Sequence, residues 1–249
     1  SANLGVAHCA LGRLESAAEH LGRARELLTR LGRQLDLADC LMNLSAVRAD
    51  LGRHDEAIAG YEETLAIYGR LGLHAQQAEC RVNLGNSLAA MGRFGEAIEQ
   101  FQTALEVFTS VGLDRERATC FQSLGTLSYA LEAYDVGLQA FEEAGRLYRA
   151  FARQATRGAG GQATAGWVPE QMYKVEAGTG RIYRARGQEG DLSRAYRHFA
   201  RAISITERLR AEAADSDAPG ARGGGAHQGT DHEEQGAVGV IRPHAGRDH

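Results

Sequence analysis

The sequence predicts an all-α fold, an α-solenoid of about five helix hairpins followed by a disordered tail. The first observation is a fixed period, because residues 80–112 match the segments that start 40 residues earlier and later, at Cys40 and Cys120. A period of this size is typical of stacked helical repeats. The second observation is apolar spacing at i, i+3 and i+4 within each copy. The third is a low aromatic content of 6%.

Residues 1–155 hold four repeats, each with a first helix (A) and a second helix (B). In the second repeat, helix A is predicted from residue 36 to residue 51, where Gly52 ends it. Asp55 and Glu56 then lie in the first turn of helix B, where the helix dipole favours negative charge. The first repeat lacks the start of its helix A, which predicts that the chain is a fragment.

Small residues recur where two helices are expected to approach closely. Gly85 and Gly125 share one repeat position, with Ser45 as the exception, and Ala97 and Ala104 mark two others. A glycine inside a helix costs about 1 kcal/mol relative to alanine, so its recurrence indicates a packing constraint. Large side chains are predicted to face these small sites and to form the core: Tyr61, Phe101 and Phe141.

The C-terminal third of the chain is less regular. Three glycines in four residues predict a flexible loop at 156–166, and residues 167–214 predict a fifth, divergent repeat. In that repeat Gly180 corresponds to Gly85, and Phe199 corresponds to Phe101. Residues 215–249 contain few large apolar side chains, which predicts a disordered tail.

The small residues at Gly85, Ala97 and Ala104, with an aromatic residue at Phe101, resemble the tetratricopeptide repeat. The 40-residue period is similar to the long-helix variant of kinesin light chains and bacterial regulators. The sequence departs from the family at the position that tryptophan usually holds. The resemblance implies a right-handed superhelix whose concave groove, formed by the A helices, binds an extended or helical peptide.

Helical spacing then predicts which polar side chains line this groove. Asn3, Asn43 and Asn83 share one repeat position, and an asparagine amide both donates and accepts hydrogen bonds. In the long-helix families such asparagines bind the backbone of an extended peptide; otherwise they are solvated or cap local structure. The predicted groove is polar with acids at its rim, and its candidate residues are Asn3, Asp39, Asn43, Asp50, Glu79, Asn83, Asn86, Ser123 and Thr126.

The leading hypothesis is a non-enzymatic scaffold that binds a protein or peptide partner. The segment from Trp167 to residue 214 also resembles the last repeat before the protease-like domain of CHAT proteins. This second resemblance implies an alternative: a regulatory or sensor arm of a CHAT-type protease, or of a transcriptional regulator, whose effector domain is absent. No Cys/His dyad matches the protease motif.

Other functional classes are disfavoured. The net charge of −4 argues against a nucleic-acid partner, and no apolar run reaches the roughly 20 residues that span a bilayer. Phosphate loops, nucleophile elbows and metal-ligand motifs are missing from the sequence, so we expect no enzymatic activity, cofactor or metal. Cys40, Cys80 and Cys120 recur at one repeat position, too far apart to pair, and reduced cysteines favour a cytoplasmic location.

Overall fold

The computed structural model describes residues 13–155 and 167–216, and within these ranges all regular structure is α-helical. The predicted all-α repeat fold is confirmed. The described residues belong to two compact units, one ending at Leu113 and the other beginning at Asp114. Three predictions lie outside the described residues: the groove residue Asn3, the loop at 156–166, and the tail beyond Ser216.

The first unit consists of B and A helices in alternation. Each helix packs against the next one in the chain, and the two A helices, α2 and α4, also contact each other. Helix A of the second repeat begins two residues earlier than predicted. The helices are α1 (Leu14–Leu31), α2 (Gln34–Asp50), α3 (His54–Arg70), α4 (His74–Ala90) and α5 (Phe94–Val111).

The second unit contains the fourth and fifth repeats. Its A helices, α6 and α8, contact each other, and the B helix α7 packs against both of them. The fifth hairpin begins at Trp167, the predicted start of the divergent repeat, and its B helix ends two residues beyond the predicted end at 214. The helices are α6 (Asp114–Ala130), α7 (Tyr134–Ala155), α8 (Trp167–Arg186) and α9 (Asp191–Ser216).

Residues in the left-handed conformation end the A helices, in agreement with the prediction that Gly52 of the Leu-Gly-Arg turn at 51–53 ends helix A. Gly52 has φ +76°, and the following Arg53 N–H donates to the Arg48 carbonyl at 2.8 Å. This pattern is the Schellman motif, in which glycine avoids the clash between Cβ and backbone. The fourth repeat keeps the turn without glycine, since Glu132 adopts φ 57° and Ala133 N–H donates to Ser128 at 2.9 Å.

The recurring glycines lie directly under aromatic rings. A Cβ added to Gly85 would lie 2.8 Å from Cε1 of Phe101, and one on Gly180 would lie 2.8 Å from Cε1 of Phe199. Gly125 is related to Phe141 in the same way, at 2.9 Å. In these three hairpins the two helices therefore approach so closely that a Cβ at this position would require the ring to move.

Ser45, the exception in this series, is accommodated by a change on the facing helix. Helix α3 carries Gly60 beside it, and a Cβ on Gly60 would overlap the Ser45 hydroxyl. In the next repeat the glycine is on the other helix. Gly85 of the A helix takes the place of Ser45, and Gln100 of the B helix takes the place of Gly60. The close approach is thus preserved by a glycine on either helix.

The cysteines that recur at one repeat position, Cys40, Cys80 and Cys120, are buried and form no disulfide bonds. Cys40 Sγ donates to the Leu21 carbonyl, and Cys80 Sγ donates to the Tyr61 carbonyl, both at 3.4 Å. Burial raises the pKa of the Cys40 thiol to about 11 and that of Cys80 to about 12. These thiols act as small apolar groups that link each A helix to the preceding B helix.

Candidate functional site

The candidate site is a row of three positions on each A helix, defined relative to the small residue of the repeat. In α4 these positions lie six and two residues before Gly85 and one residue after it, and they hold Glu79, Asn83 and Asn86. Glu79 and Asn83 are half-buried and Asn86 is exposed. We call this set, in every repeat, the A-helix row. In α4 its members border the buried core but are not enclosed by it, so packing does not dictate their chemistry there. In α8 the second position is Gly178, which is buried.

In α2 the first position of the row is tied to helix B of its own repeat. The fully buried Tyr68 hydroxyl donates to Asp39 Oδ1 at 2.7 Å. Burial, and then this hydrogen bond, raise the pKa of Tyr68 well above its usual range. One oxygen of Asp39 is therefore engaged internally, and this residue contributes to the hairpin as well as to the row.

The second position of the row holds the repeated asparagines. Asn43 is half-buried on α2 between the buried Met42 and Leu44. Asn83 on α4 lies across from Met42, with 4.0 Å between its Nδ2 atom and the Met42 sulfur. This contact joins the two A helices beside Asn43, which directly follows Met42 in α2. Asp50 is exposed at the end of α2.

The second unit holds the remaining predicted residues. Ser123 is half-buried on α6, and the exposed Thr126 donates from Oγ1 to the Gln122 carbonyl at 3.1 Å. At the first position, Thr119 Oγ1 lies 3.4 Å from the Tyr148 hydroxyl. Tyr148 is placed on α7 as Tyr68 is placed on α3, and burial raises its pKa to about 12.

Sequence reasoning missed two residues of the row in α8. Lys174 lies six residues before Gly180 and Arg181 one residue after it, and both are exposed. Lys174 Nζ pairs with Glu170 Oε1 at 2.8 Å, one turn earlier on the same helix. The repeat register could have identified both residues, because Gly180 corresponds to Gly85. The row is polar and partly acidic in α2 and α4, whereas in α8 it carries the basic side chains of Lys174 and Arg181; that these side chains line a binding groove stays a prediction.

The described residues of the row offer hydrogen bonding and charge. No group of three His, Cys, Asp or Glu side chains in 13–155 and 167–216 could hold a metal ion. Within the same ranges, none of the helices combines the length and apolarity needed to cross a bilayer. The row is suited to reversible recognition of polar and charged groups.

Solved structures share this fold. The chain is similar to BtubC (BKLC) from P. vanneervenii, with 21% identity, a TM-score of 0.56, and 88% of this chain and 89% of that chain covered. It is also similar to MamA, with 17% identity, a TM-score of 0.53 and coverage of 84% and 96%. A kinesin light chain of Podosopora anserina with nearly identical TPR-like repeats gives 17% identity, a TM-score of 0.50 and coverage of 87% and 93%.

At these identities the solved structures establish the fold alone. No curated protein sequence matches the chain significantly. The family model of the tetratricopeptide repeat matches residues 1–70 and 75–150, which is more than half of the chain. The glycine-under-aromatic packing of the hairpins agrees with that match. The chain belongs to the tetratricopeptide repeat family.

Proposed function

We propose that this chain is a non-enzymatic scaffold that binds a segment of a partner protein along its A-helix row. Members of the tetratricopeptide repeat family generally serve as scaffolds for protein interactions. The observation that carries the proposal is the pair Asn43 and Asn83, two half-buried amides at one repeat position that packing does not require. We further propose that the protein acts in the cytoplasm, with neither nucleic acid nor membrane as partner.

The amides set the mode of recognition. An asparagine side chain offers two donors and one carbonyl acceptor, so it can pair with both groups of a peptide unit. Asn43 and Asn83 hold the same repeat position on successive A helices, and the contact of Asn83 with Met42, the chain neighbour of Asn43, supports a shared surface. A pair of such amides recognises an extended backbone irrespective of its side chains.

The charges of the row set the preference for side chains. In the first unit the row and its rim carry Asp39, Asp50 and Glu79, which favour a segment with Lys or Arg. In the second unit Lys174 and Arg181 favour Asp or Glu. Exposed charges act over about 10 Å at ordinary salt, so each group selects the residues that lie directly against it.

The test compares a double variant, Asn43→Ala with Asn83→Ala, with the wild-type chain as bait in quantitative affinity capture from the source cell. We expect at least one captured protein to fall about tenfold or more, because two bonded amides at about 1 kcal/mol each are removed. The midpoint of thermal unfolding should be unchanged, since neither amide is enclosed.

The matched control is Glu62→Ala with Gln102→Ala, two exposed positions on the B helices α3 and α5. This variant should capture the same proteins as the wild type. Equal capture by both double variants would contradict the proposal. A parallel loss of stability and capture in the asparagine variant would assign the amides a structural role instead.

A further inference from the structure

The last B helix, α9, presents large apolar side chains to solvent. Leu192, Tyr196 and Ile203 are 78%, 75% and 58% exposed. They lie on one side of the helix, at spacings of i, i+4 and i+11. Arg197 lies on a different side, about 100° around the helix from Tyr196. Exposed apolar patches of this kind mark surfaces that bind other molecules.

The equivalent side chains of α7 are covered by the following A helix. Tyr134 and Leu138 hold the positions of Leu192 and Tyr196, and they pack against the core cluster that contains Val175 and Ile182 of α8. Gly145 holds the position of Ile203, and its Cβ would lie 3.4 Å from Cγ1 of Val175. The exposed side of α9 is therefore the side on which a B helix in this chain receives an A helix.

The neighbouring side of α8 is open in the same way. Tyr173 and Arg184 hold the positions of Ala118 and Tyr129 in α6, both of which belong to the cluster that packs against α8. In α8 these positions line a cavity of about 750 Å³ together with Phe199 and Ile203 of α9. We call this surface, formed by Tyr173, Arg184, Leu192, Tyr196, Phe199 and Ile203, the end face.

The charge of the end face is positive. Arg181 and Arg184 line the cavity, and within the described parts of the chain neither forms an ion pair. The guanidinium of Arg184 lies 6.0 Å from the centre of the Phe199 ring. An occupant that matches this surface combines apolar side chains with carboxylates.

We propose that the end face binds an acidic amphipathic helix of another protein, seated against α9 as α8 is seated against α7. The contacts between α8 and α7 define the features of the bound helix. Val175, Gly178 and Ile182 face α7, and a Cβ on Gly178 would overlap the Phe141 ring. The bound helix therefore carries a small residue over Phe199, apolar residues three before and four after it, and acidic residues beside Arg181 and Arg184.

This chain's own residues 217–249 do not fit that description. They contain eight glycines and one stretch of apolar residues, and each helical glycine costs about 1 kcal/mol. The inference goes beyond the proposed function, because the asparagine pair takes no part in it, although Arg181 lines the cavity and also belongs to the A-helix row.

The test uses a labelled 20-residue peptide with the sequence of α8 in which K174E, R181E, R184E and R186E reverse the charges. Fluorescence anisotropy with the full chain should show saturable binding. Ile203→Glu should weaken binding at least tenfold, because it places a carboxylate in the apolar seat. Arg197→Glu, an exposed change on another side of α9, should alter it less than twofold. The G178L version of the peptide should bind at least tenfold more weakly.

Two outcomes would overturn the proposal. One is the absence of saturable binding, or binding that Ile203→Glu leaves unchanged. The other is self-association of the wild-type chain in sedimentation velocity that Ile203→Glu abolishes, since a second copy would then occupy the face. Circular dichroism of each variant shows that the helices are retained. The asparagine variant should bind the peptide normally, so the two proposals can fail independently.

Discussion

At the scale of single residues, the absence of a side chain determines how closely two helices approach. A Cβ added to Gly85 would lie 2.8 Å from Cε1 of Phe101, and the ring of Phe101 is fully buried. Gly22, in the middle of α1, has no heavy atom within 4 Å of an added Cβ. The same residue type therefore has opposite energetic roles at these two positions.

This difference predicts opposite effects of one substitution. Gly85→Ala should destabilise the chain by about 1–3 kcal/mol, because the ring must move within a close-packed interface. Gly22→Ala should stabilise it by about 0.5–1 kcal/mol through helix propensity alone. Urea denaturation of both variants measures the two free energies of unfolding. A stabilising effect at Gly85 would show that the ring moves aside without cost.

The residue scale also shows what the sequence could predict. The pairing of Gly85 with Phe101 and of Gly125 with Phe141 follows from the period, because the same packing recurs in these copies. The partners of single polar side chains do not follow from it. The hydrogen bond from Tyr68 to Asp39 depends on the crossing of two helices, and in the next repeat Phe108 holds the tyrosine position and has no hydroxyl.

At the scale of elements, the fifth hairpin is held by an ionic turn in place of a short Leu-Gly-Arg turn. The carboxylate of Asp191 is fully buried and accepts from Arg186 Nε and Nη2 at 2.9 Å each. It also accepts from the Gln188 N–H at 3.1 Å and from Arg194 at 3.0 Å. Arg186 in turn donates to Asp135 of α7 at 2.6 Å. Gln188 lies in the turn between the two helices, Arg186 ends α8, and Asp191 and Arg194 lie in the first turn of α9.

This turn predicts a dependence of stability on pH. The hydrogen bonds from Arg186, followed by those from Gln188 and Arg194, lower the pKa of Asp191 to about 2. In the unfolded chain an aspartate titrates near 3.9. A lowered folded pKa stabilises the native state above about pH 4, and this contribution is lost as the pH falls from about 4 to about 2.

Asp191→Asn should therefore be less stable than the wild type at pH 7, and the difference should shrink below pH 4. Denaturant titrations at pH 7, 5 and 3 measure it. Asp114→Asn is the control, because its exposed pair with Arg117 contributes little at any pH. A difference between Asp191→Asn and wild type that is constant from pH 7 to pH 3 would contradict the assigned role.

The sequence predicted the two helices of the fifth repeat but not the ionic turn around Asp191. The repeat positions of Gly180, Phe199 and Ala202 were enough to locate both helices. The same register could have located Lys174 and Arg181 in the A-helix row, but neither was among the predicted groove residues. The ionic turn arises from residues outside the repeat pattern, and periodicity carries no information about such residues.

At the scale of the whole molecule, the described helices interact mainly with their neighbours in the chain. In the first unit each helix packs on the next, with one further contact between α2 and α4, and the second unit follows the same rule. In such repeats the stability is close to a sum of local terms, so a lost contact opens the nearest helices first.

The loss of one buried ring should therefore have a local effect on amide hydrogen exchange. Phe141→Ala removes a ring that contacts Gly125 of α6 and Gly178 of α8, and buried Phe→Ala changes cost about 3–5 kcal/mol. We expect the largest increase in exchange in α6, α7 and α8. Phe101→Ala, the matched change in the first unit, should increase exchange most in α4 and α5. Mass spectrometry of peptic fragments resolves these helices. The same pattern of exchange in both variants would contradict local stability and would indicate that the chain unfolds as one cooperative structure.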